Sequence, residues 1–151
     1  MSAAAVIIRC AVPADLDALV TLLDALFRIE ADFTPDAARQ RRGLSLMLGN
    51  DPGRCVLVAE LNGLVVGMCT AQLLVSSSEG GLSALIEDVV VDEAYHGRGI
   101  GRGLIDAIGA WAAAAGAKRM QLLADRNNRA ALDFYERIGW ERTQLVCLRR
   151  R

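Results

Sequence analysis

The stretch YHGRGIGRGL, residues 95–104, places glycine at four alternate positions. Glycine loses more backbone entropy on folding than any other residue, so a cluster of ordered glycines requires a physical reason. A run rich in β-branched residues, 85–91, precedes the cluster, and a pattern of helical spacing follows it. The glycines therefore join a predicted strand to a predicted helix. At such a turn several backbone N–H groups can point at one anion, and the helix N-terminus adds partial positive charge.

Two common phosphate-binding patterns do not fit this stretch. A P-loop requires a lysine and a hydroxyl residue after its glycines, and neither follows here. The dinucleotide pattern G-x-G-x-x-G fails by one position, because the sixth residue counted from Gly97 is Arg102 and from Gly99 it is Leu104. An enzyme that uses the loop for NAD or ATP stays an alternative at this point.

The composition indicates one folded domain over residues 1–151. The chain is 53% hydrophobic and 23% charged, and its formal net charge of −1 argues against a nucleic-acid surface. The four cysteines are scattered without a C-x-x-C pair, so we expect buried reduced thiols and no metal site. The first apolar run is interrupted by Arg9, which predicts neither a secretion signal nor a membrane span. We expect a cytoplasmic protein without a membrane partner.

Hydrophobic periodicity predicts strands and helices that alternate in the second half, as in an α/β or α+β fold with a mixed sheet. The second helix is expected to have Thr34 as N-cap and Pro35 at its first position, and Asn62-Gly63 is a strong hairpin signal. The predicted elements are a strand at 6–9, helices at 13–27 and 35–48, two paired strands over 54–75, a strand at 82–95, a helix at 101–115, a strand at 119–125, a helix at 128–138 and a last strand at 140–149.

Two motifs resemble those of the GNAT superfamily of N-acetyltransferases. The family pattern Gln/Arg-x-x-Gly-x-Gly/Ala at a strand-to-helix turn is matched by His96, Gly99 and Gly101. The second pattern, Asn-x-x-Ala followed by a Tyr and a Gly-aromatic pair, is matched in the same order by Asn128, Ala131, Tyr135, Gly139 and Trp140. His96 departs from the family's usual Gln or Arg, and Trp140 replaces the usual Phe. The resemblance covers residues 6–148.

This resemblance implies a mixed, mostly antiparallel central sheet that is flanked by helices and splayed at the cofactor site. It implies acetyl-CoA as co-substrate, no metal, and transfer of the acetyl group to a primary amine of a small molecule or peptide. Family members often pair through sheet edges or last strands, which makes a homodimer one expectation. The residues that the resemblance assigns to coenzyme A are Val89, Val90, Val91, His96, Gly97, Arg98, Gly99, Ile100, Gly101, Arg102, Asn128, Ala131 and Tyr135.

The chemistry of amine acetylation requires a proton acceptor, because an alkylammonium has a pKa of about 10.4. Glu87 matches a carboxylate position of the family, and strand alternation predicts that the neighbouring Asp88 lies on the opposite face, so that only one of them serves directly. A polar residue on the solvent side of a sheet is the alternative for Glu87. The family's oxyanion donor is a backbone N–H of the same strand, here within 89–91.

Tyr135 occupies the position from which the family protonates the departing thiolate. Its spacing with Ala131, Phe134 and Ile138 also fits plain core packing on an apolar helix face, which is the alternative. Asn128 is expected to cap the helix that follows it. If Tyr135 and Glu87 are both structural, the chain would be a non-catalytic acyl-CoA-binding or sensing module.

The acceptor is expected to be chosen by loops that the motifs do not specify. The segments 27–33 and 76–81 are such loops, and Glu30, Asp32 and Glu79 within them would suit a cationic amine.

Overall fold

The computed structural model describes residues 3–151. Two short 3-10 turns, 13–15 and 93–95, precede the first helix and the glycine loop. The regular elements are β1 (Ile7–Cys10), α1 (Leu16–Ile29), α2 (Ala37–Met47), β2 (Arg54–Leu61), β3 (Leu64–Ser76), β4 (Gly81–Val91), α3 (Ile100–Ala114), β5 (Ala117–Leu122) and α4 (Arg129–Arg137).

The strands form one sheet in the order β1-β2-β3-β4-β5, which is antiparallel except for the parallel pair β4–β5. The predicted mixed, mostly antiparallel sheet is thereby confirmed. The β2–β3 hairpin turns at Asn62 and Gly63, both left-handed with φ of 52° and 77°, as the Asn-Gly dipeptide predicts.

Helices cover both faces of the sheet. Apolar side chains of α3 and α4 pack on one face against β2, β3 and β4, with Leu104 and Ile108 fully buried. The other face is covered by α1 and α2, where Leu19, Val58 and Met68 have no exposed surface. The sheet is therefore buried between two helical layers, and burial of these side chains from water is the main favourable contribution to folding.

Strand β4 is irregular in two ways near its C-terminal end. Pairing with β5 stops at Ile86–Leu122, so residues 87–91 have no neighbour on that side within the described chain. On the β3 side, Thr70 pairs with Glu87 and Met68 pairs with Val90, so two residues of β4 oppose one of β3. The extra residue makes a β-bulge, and Asp88 within it has a φ of 53°.

The predicted last strand at 140–149 is wrong. The described structure contains no strand after Leu122, and Leu145, Val146 and Leu148 are 83%, 73% and 90% exposed. A strand exists only beside a partner, and this segment pairs with no strand of the described residues. The free outer edge of β5 is likewise without a partner there.

Two smaller predictions also need correction. Helix α2 is capped by Asp36, whose Oδ1 accepts a hydrogen bond from the Arg39 N–H at 3.1 Å, and not by Thr34. The helix therefore begins after Pro35, at Ala37. Of the four cysteines, Cys55 and Cys69 are buried as expected, whereas Cys10 and Cys147 are exposed; all four are free thiols.

Candidate active site

The glycine loop connects the end of β4 to the start of α3. Gly97 and Gly99 have φ of 76° and 78°, in the left-handed region that favours glycine, and Gly99 immediately precedes the first residue of the helix. A Cβ added at either glycine would meet no atom within 4 Å, so both face open space at the N-terminus of α3. A phosphate can therefore approach the backbone N–H groups of this turn closely.

The polar side chains of the loop make contacts on the protein itself. The His96 ring contacts the carbonyl oxygen of Val91, with Nε2 at 2.7 Å from it. The Arg98 guanidinium lies over the Tyr95 ring, 5.2 Å from its centre, and Arg102 Nε is 3.9 Å from Asp106 Oδ2. Both of these arginine contacts are at the surface, where such interactions are weak, so each guanidinium can turn toward an anion.

A cavity of about 60 Å³ lies where β4 and β5 separate. It brings together five of the predicted site residues, whereas Val90, Val91 and the loop residues 96–102 lie outside it. The side chains around it come from α1, β4, β5, α4 and the segment before α4: Leu26, Glu30, Ile86, Glu87, Asp88, Val89, Leu122, Leu123, Ala124, Asp125, Asn128, Ala131 and Tyr135.

The expectation that only one of Glu87 and Asp88 reaches the site is wrong. Both line this cavity, and the Thr70 hydroxyl donates to Asp88 Oδ2 at 3.3 Å. The cause is the bulge, because an extra residue interrupts the alternation of side chains along β4. Sequence reasoning missed this arrangement, since the bulge depends on how β3 and β4 pair and has no local signal.

The cavity wall is acidic. Burial and the neighbouring charge of Glu87 raise the pKa of Asp88 to about 6 against the hydrogen bond from Thr70, which lowers it. The pKa of Glu30 is raised by burial first, and then by the charges of Asp88, Asp125, Asp32 and Glu87. These effects show that Glu30 and Asp88 are poorly solvated and lie near other carboxylates, so that a positive charge beside them would be stabilised.

Asp125 links the loop after α1 to the chain that follows β5. Its carboxylate accepts hydrogen bonds from the backbone N–H groups of Asn127 at 2.8 Å and Ala31 at 3.1 Å. These two bonds lower its pKa, so that it is ionised at neutral pH. The α1–α2 loop is thereby held at the cavity. Glu79, by contrast, does not line the cavity and pairs with Arg119 at 3.3 Å.

Tyr135 reaches the cavity from an apolar helix face. Its ring packs edge-on against Phe134 and Trp140, with centroids at 5.2 and 5.9 Å. Burial, with smaller contributions from Cys69 and Glu30, raises the pKa of its phenol to about 12. The predicted cap at the start of α4 is confirmed, because Asn128 Oδ1 accepts a hydrogen bond from the Ala131 N–H at 3.1 Å.

The model of the Acetyltransferase (GNAT) family matches residues 17–140, a range that includes both motifs and every residue around the cavity. The chain belongs to the GNAT acetyltransferase family. The matched range runs from the start of α1 to the Gly139-Trp140 pair.

Individual GNAT relatives agree with this assignment. An uncharacterized N-acetyltransferase of Methanocaldococcus jannaschii is 33% identical over 90 residues, which are 59% of this chain and 40% of that protein, so the chain spans well under half of its length. An aminoglycoside acetyltransferase from an uncultured soil metagenomic sample, solved in complex with sisomicin, is 26% identical with a TM-score of 0.76, over 97% of this chain and 95% of its own.

A third relative supports the GNAT fold alone. It is an aminoglycoside N-acetyltransferase solved in complex with coenzyme A, 18% identical with a TM-score of 0.84, over 99% of this chain and 97% of its own.

Two features are absent from residues 3–151. No helix there is both long and apolar enough to cross a membrane. No group of three or more His, Cys, Asp or Glu side chains in that range is placed to hold a metal ion.

Proposed function

We propose that this chain is an N-acetyltransferase that moves the acetyl group of acetyl-CoA to a primary amine by direct attack. The observation that carries the proposal is the proximity of two features. The glycine loop opens at the N-terminus of α3. Helix α4, which carries Tyr135, packs beside the first turn of α3, because a Cβ added to Gly101 would lie 3.4 Å from the ring of Phe134 on α4. A phosphate-binding turn and an acidic cavity are thus neighbours.

The residues of the loop fit the cofactor. Gly97 and Gly99 leave their backbone open to the pyrophosphate, and we assign Arg98 or Arg102 to its outer oxygens. Beyond Ile86, β4 has a free side within the described chain, because β5 has separated from it. Backbone N–H groups of residues 89–91 on that side are available to the thioester oxygen, where negative charge develops during acyl transfer.

The reaction requires three proton transfers. Glu87, directly or through a water molecule, takes the proton that the ammonium loses, and Asp88 adds its charge to the same wall. The free amine forms the new C–N bond, the C–S bond breaks, and Tyr135 donates its proton to the departing sulfur. The second proton of the nitrogen, which the new amide cannot keep, then returns Tyr135 to its neutral form. A phenol with a pKa of about 12 is protonated at neutral pH and able to do so.

The acceptor is proposed to be a cationic amine. Glu30, Glu87, Asp88 and Asp125 line one cavity. Burial and neighbouring carboxylate charges raise the pKa values of Glu30 and Asp88, and backbone hydrogen bonds lower the pKa of Asp125. An ammonium group entering this cavity relieves that repulsion. The aminoglycoside named in the complex of the soil relative is a compound of this kind.

The experiment is acetyl transfer from acetyl-CoA across polyamines, aminoglycosides, amino acids and peptides, with products read by mass spectrometry because exposed Cys10 and Cys147 would react with thiol dyes. N-acetylated forms of the same acceptors serve as matched controls without a free amine. E87Q is expected to lower kcat by at least about a hundredfold. E79Q is its control, since Glu79 lies outside the cavity. Binding of acetyl-CoA without transfer to any amine would favour the sensing module.

We also propose a homodimer formed through the C-terminal segment 143–149. This segment exposes three large apolar side chains, and the outer edge of β5 has no partner within the described chain. In a dimer with a two-fold axis, the segment 143–149 of each copy would pair as a strand with the free outer edge of β5 in the other copy. Light scattering after gel filtration should give a dimer, and V146D should give a monomer. L46D, which alters an exposed leucine on α2, is the control. A monomeric wild-type chain would exclude the dimer.

A further inference from the structure

The only histidine of the chain lies in the glycine loop, and its ring is turned back toward the sheet. His96 has extended backbone angles, and its N–H donates to the carbonyl of Glu93 at 3.2 Å. Its Nε2 lies 2.7 Å from the carbonyl oxygen of Val91, the last residue of β4. The side chain thus spans from the loop to the end of the strand, and the next residue is Gly97.

The contact determines where the ring carries a proton. A carbonyl oxygen only accepts hydrogen bonds, so Nε2 must carry the hydrogen. In the neutral ring Nδ1 is then a bare acceptor, and a bare acceptor cannot donate to a phosphate. The neutral His96 side chain is therefore committed to Val91 and has no donor left for the cofactor.

Val91 is itself held firmly. It pairs with Gly67 of β3, and the next residue, Asp92, donates from its N–H to the Val66 carbonyl at 2.8 Å. Its side chain approaches the other end of the loop, where a Cβ on Gly101 would lie 3.9 Å from Val91 Cγ2. A bond from His96 to Val91 thus attaches the first part of the loop to a rigid point of the sheet.

We propose that His96 is a positioning residue that fixes the glycine loop through the Val91 carbonyl, so that the phosphates are bound by backbone N–H groups and not by the imidazole. The inference rests on the proposed coenzyme A site. A loop that is ordered before binding loses less entropy when the cofactor arrives, which raises affinity without changing the chemical step.

The variants test this role through the separation of KM from kcat. H96A should raise KM for acetyl-CoA about three- to tenfold, as expected for loss of one hydrogen bond, and leave kcat within about twofold. H96Q restores a side-chain N–H of similar reach and should return KM to within about twofold of wild type. Failure of glutamine to restore KM, or an equal loss of kcat in H96A, would overturn the proposal.

Two measurements without substrate separate this proposal from the acetyltransferase proposal. Because the chain has one histidine, nitrogen-15 NMR of the free protein at about pH 8.5 reports its tautomer without ambiguity. The Nε2–H form is expected, and the Nδ1–H form or a mixture of the two would refute the contact. Hydrogen exchange at residues 97–100 should be faster in free H96A than in wild type and H96Q. Unchanged exchange would show that His96 does not order the loop.

Discussion

Replacement of Asp88 by asparagine should stabilise the protein at neutral pH. The pKa of Asp88 is about 6 in the folded chain and 3.8 for an ordinary aspartate, a difference that corresponds to about 3 kcal/mol when the group is ionised. Asparagine has the same shape, accepts the Thr70 hydrogen bond and tolerates a φ of 53°. D88N therefore removes the cost of a charge in a poorly solvated site while keeping the backbone.

The dependence of this gain on pH follows from the direction of the shift. The folded state binds the Asp88 proton more tightly than the unfolded state, so the wild-type protein loses stability as pH rises from about 4 to about 6. The gain of D88N should be largest above that range, up to about 3 kcal/mol, and should disappear near pH 4, where wild-type Asp88 is also neutral.

Urea denaturation of both proteins at about pH 8 and about pH 4.5 measures the gain. D133N is the matched control, because Asp133 is exposed on α4, and its free energy of unfolding should change by less than about 0.5 kcal/mol. If D88N is no more stable than wild type at pH 8, or if its advantage is undiminished at pH 4.5, then Asp88 is not the poorly solvated carboxylate described above.

Three further changes have expected outcomes. Y135F should lower kcat by about 10² to 10⁴ while calorimetry shows acetyl-CoA affinity within about threefold of wild type; unchanged turnover would make Tyr135 a packing residue. N128A should lower the free energy of unfolding in urea by about 1 kcal/mol, because the N-cap of α4 is lost, and N128D should restore most of that stability. D15N should lower the free energy of unfolding by about 3 kcal/mol at pH 7, since buried Asp15 accepts two hydrogen bonds from Arg9, which lower its pKa. The loss should shrink as pH falls below 3.8, the ordinary pKa of an aspartate, and a loss that is independent of pH would contradict the ion pair.

Features that depend on short stretches of sequence were predictable. The Asn62-Gly63 turn is one, because a two-residue hairpin of this type needs left-handed angles at both positions. The turn from β4 into α3 is another, since Gly99 takes a left-handed angle directly before the helix. The cap at Asn128 likewise involves only neighbours along the chain.

Features that depend on pairing between distant segments were not predictable. The bulge at Asp88 arises because Cys69 of β3 opposes two residues of β4, and nothing in either strand alone marks that offset. The bulge causes the largest difference between the predicted and the observed site, because it brings a second carboxylate, Asp88, to the cavity beside Glu87. The last strand failed for a related reason: Leu145 and its neighbours have the composition of a strand, but a strand also requires pairing, and this segment pairs with no strand of the described residues.

The most direct test of the account is calorimetric titration of acetyl-CoA into wild type, G99A and G63A. Gly99 and Gly63 have nearly equal φ, 78° and 77°, and an added Cβ meets no atom within 4 Å at either position. Both variants therefore carry the same backbone strain, but only Gly99 lies at the proposed phosphate site. The account predicts that G63A binds like wild type and that G99A loses at least about tenfold in affinity. Absence of binding to wild type, or equal losses in the two variants, would contradict it.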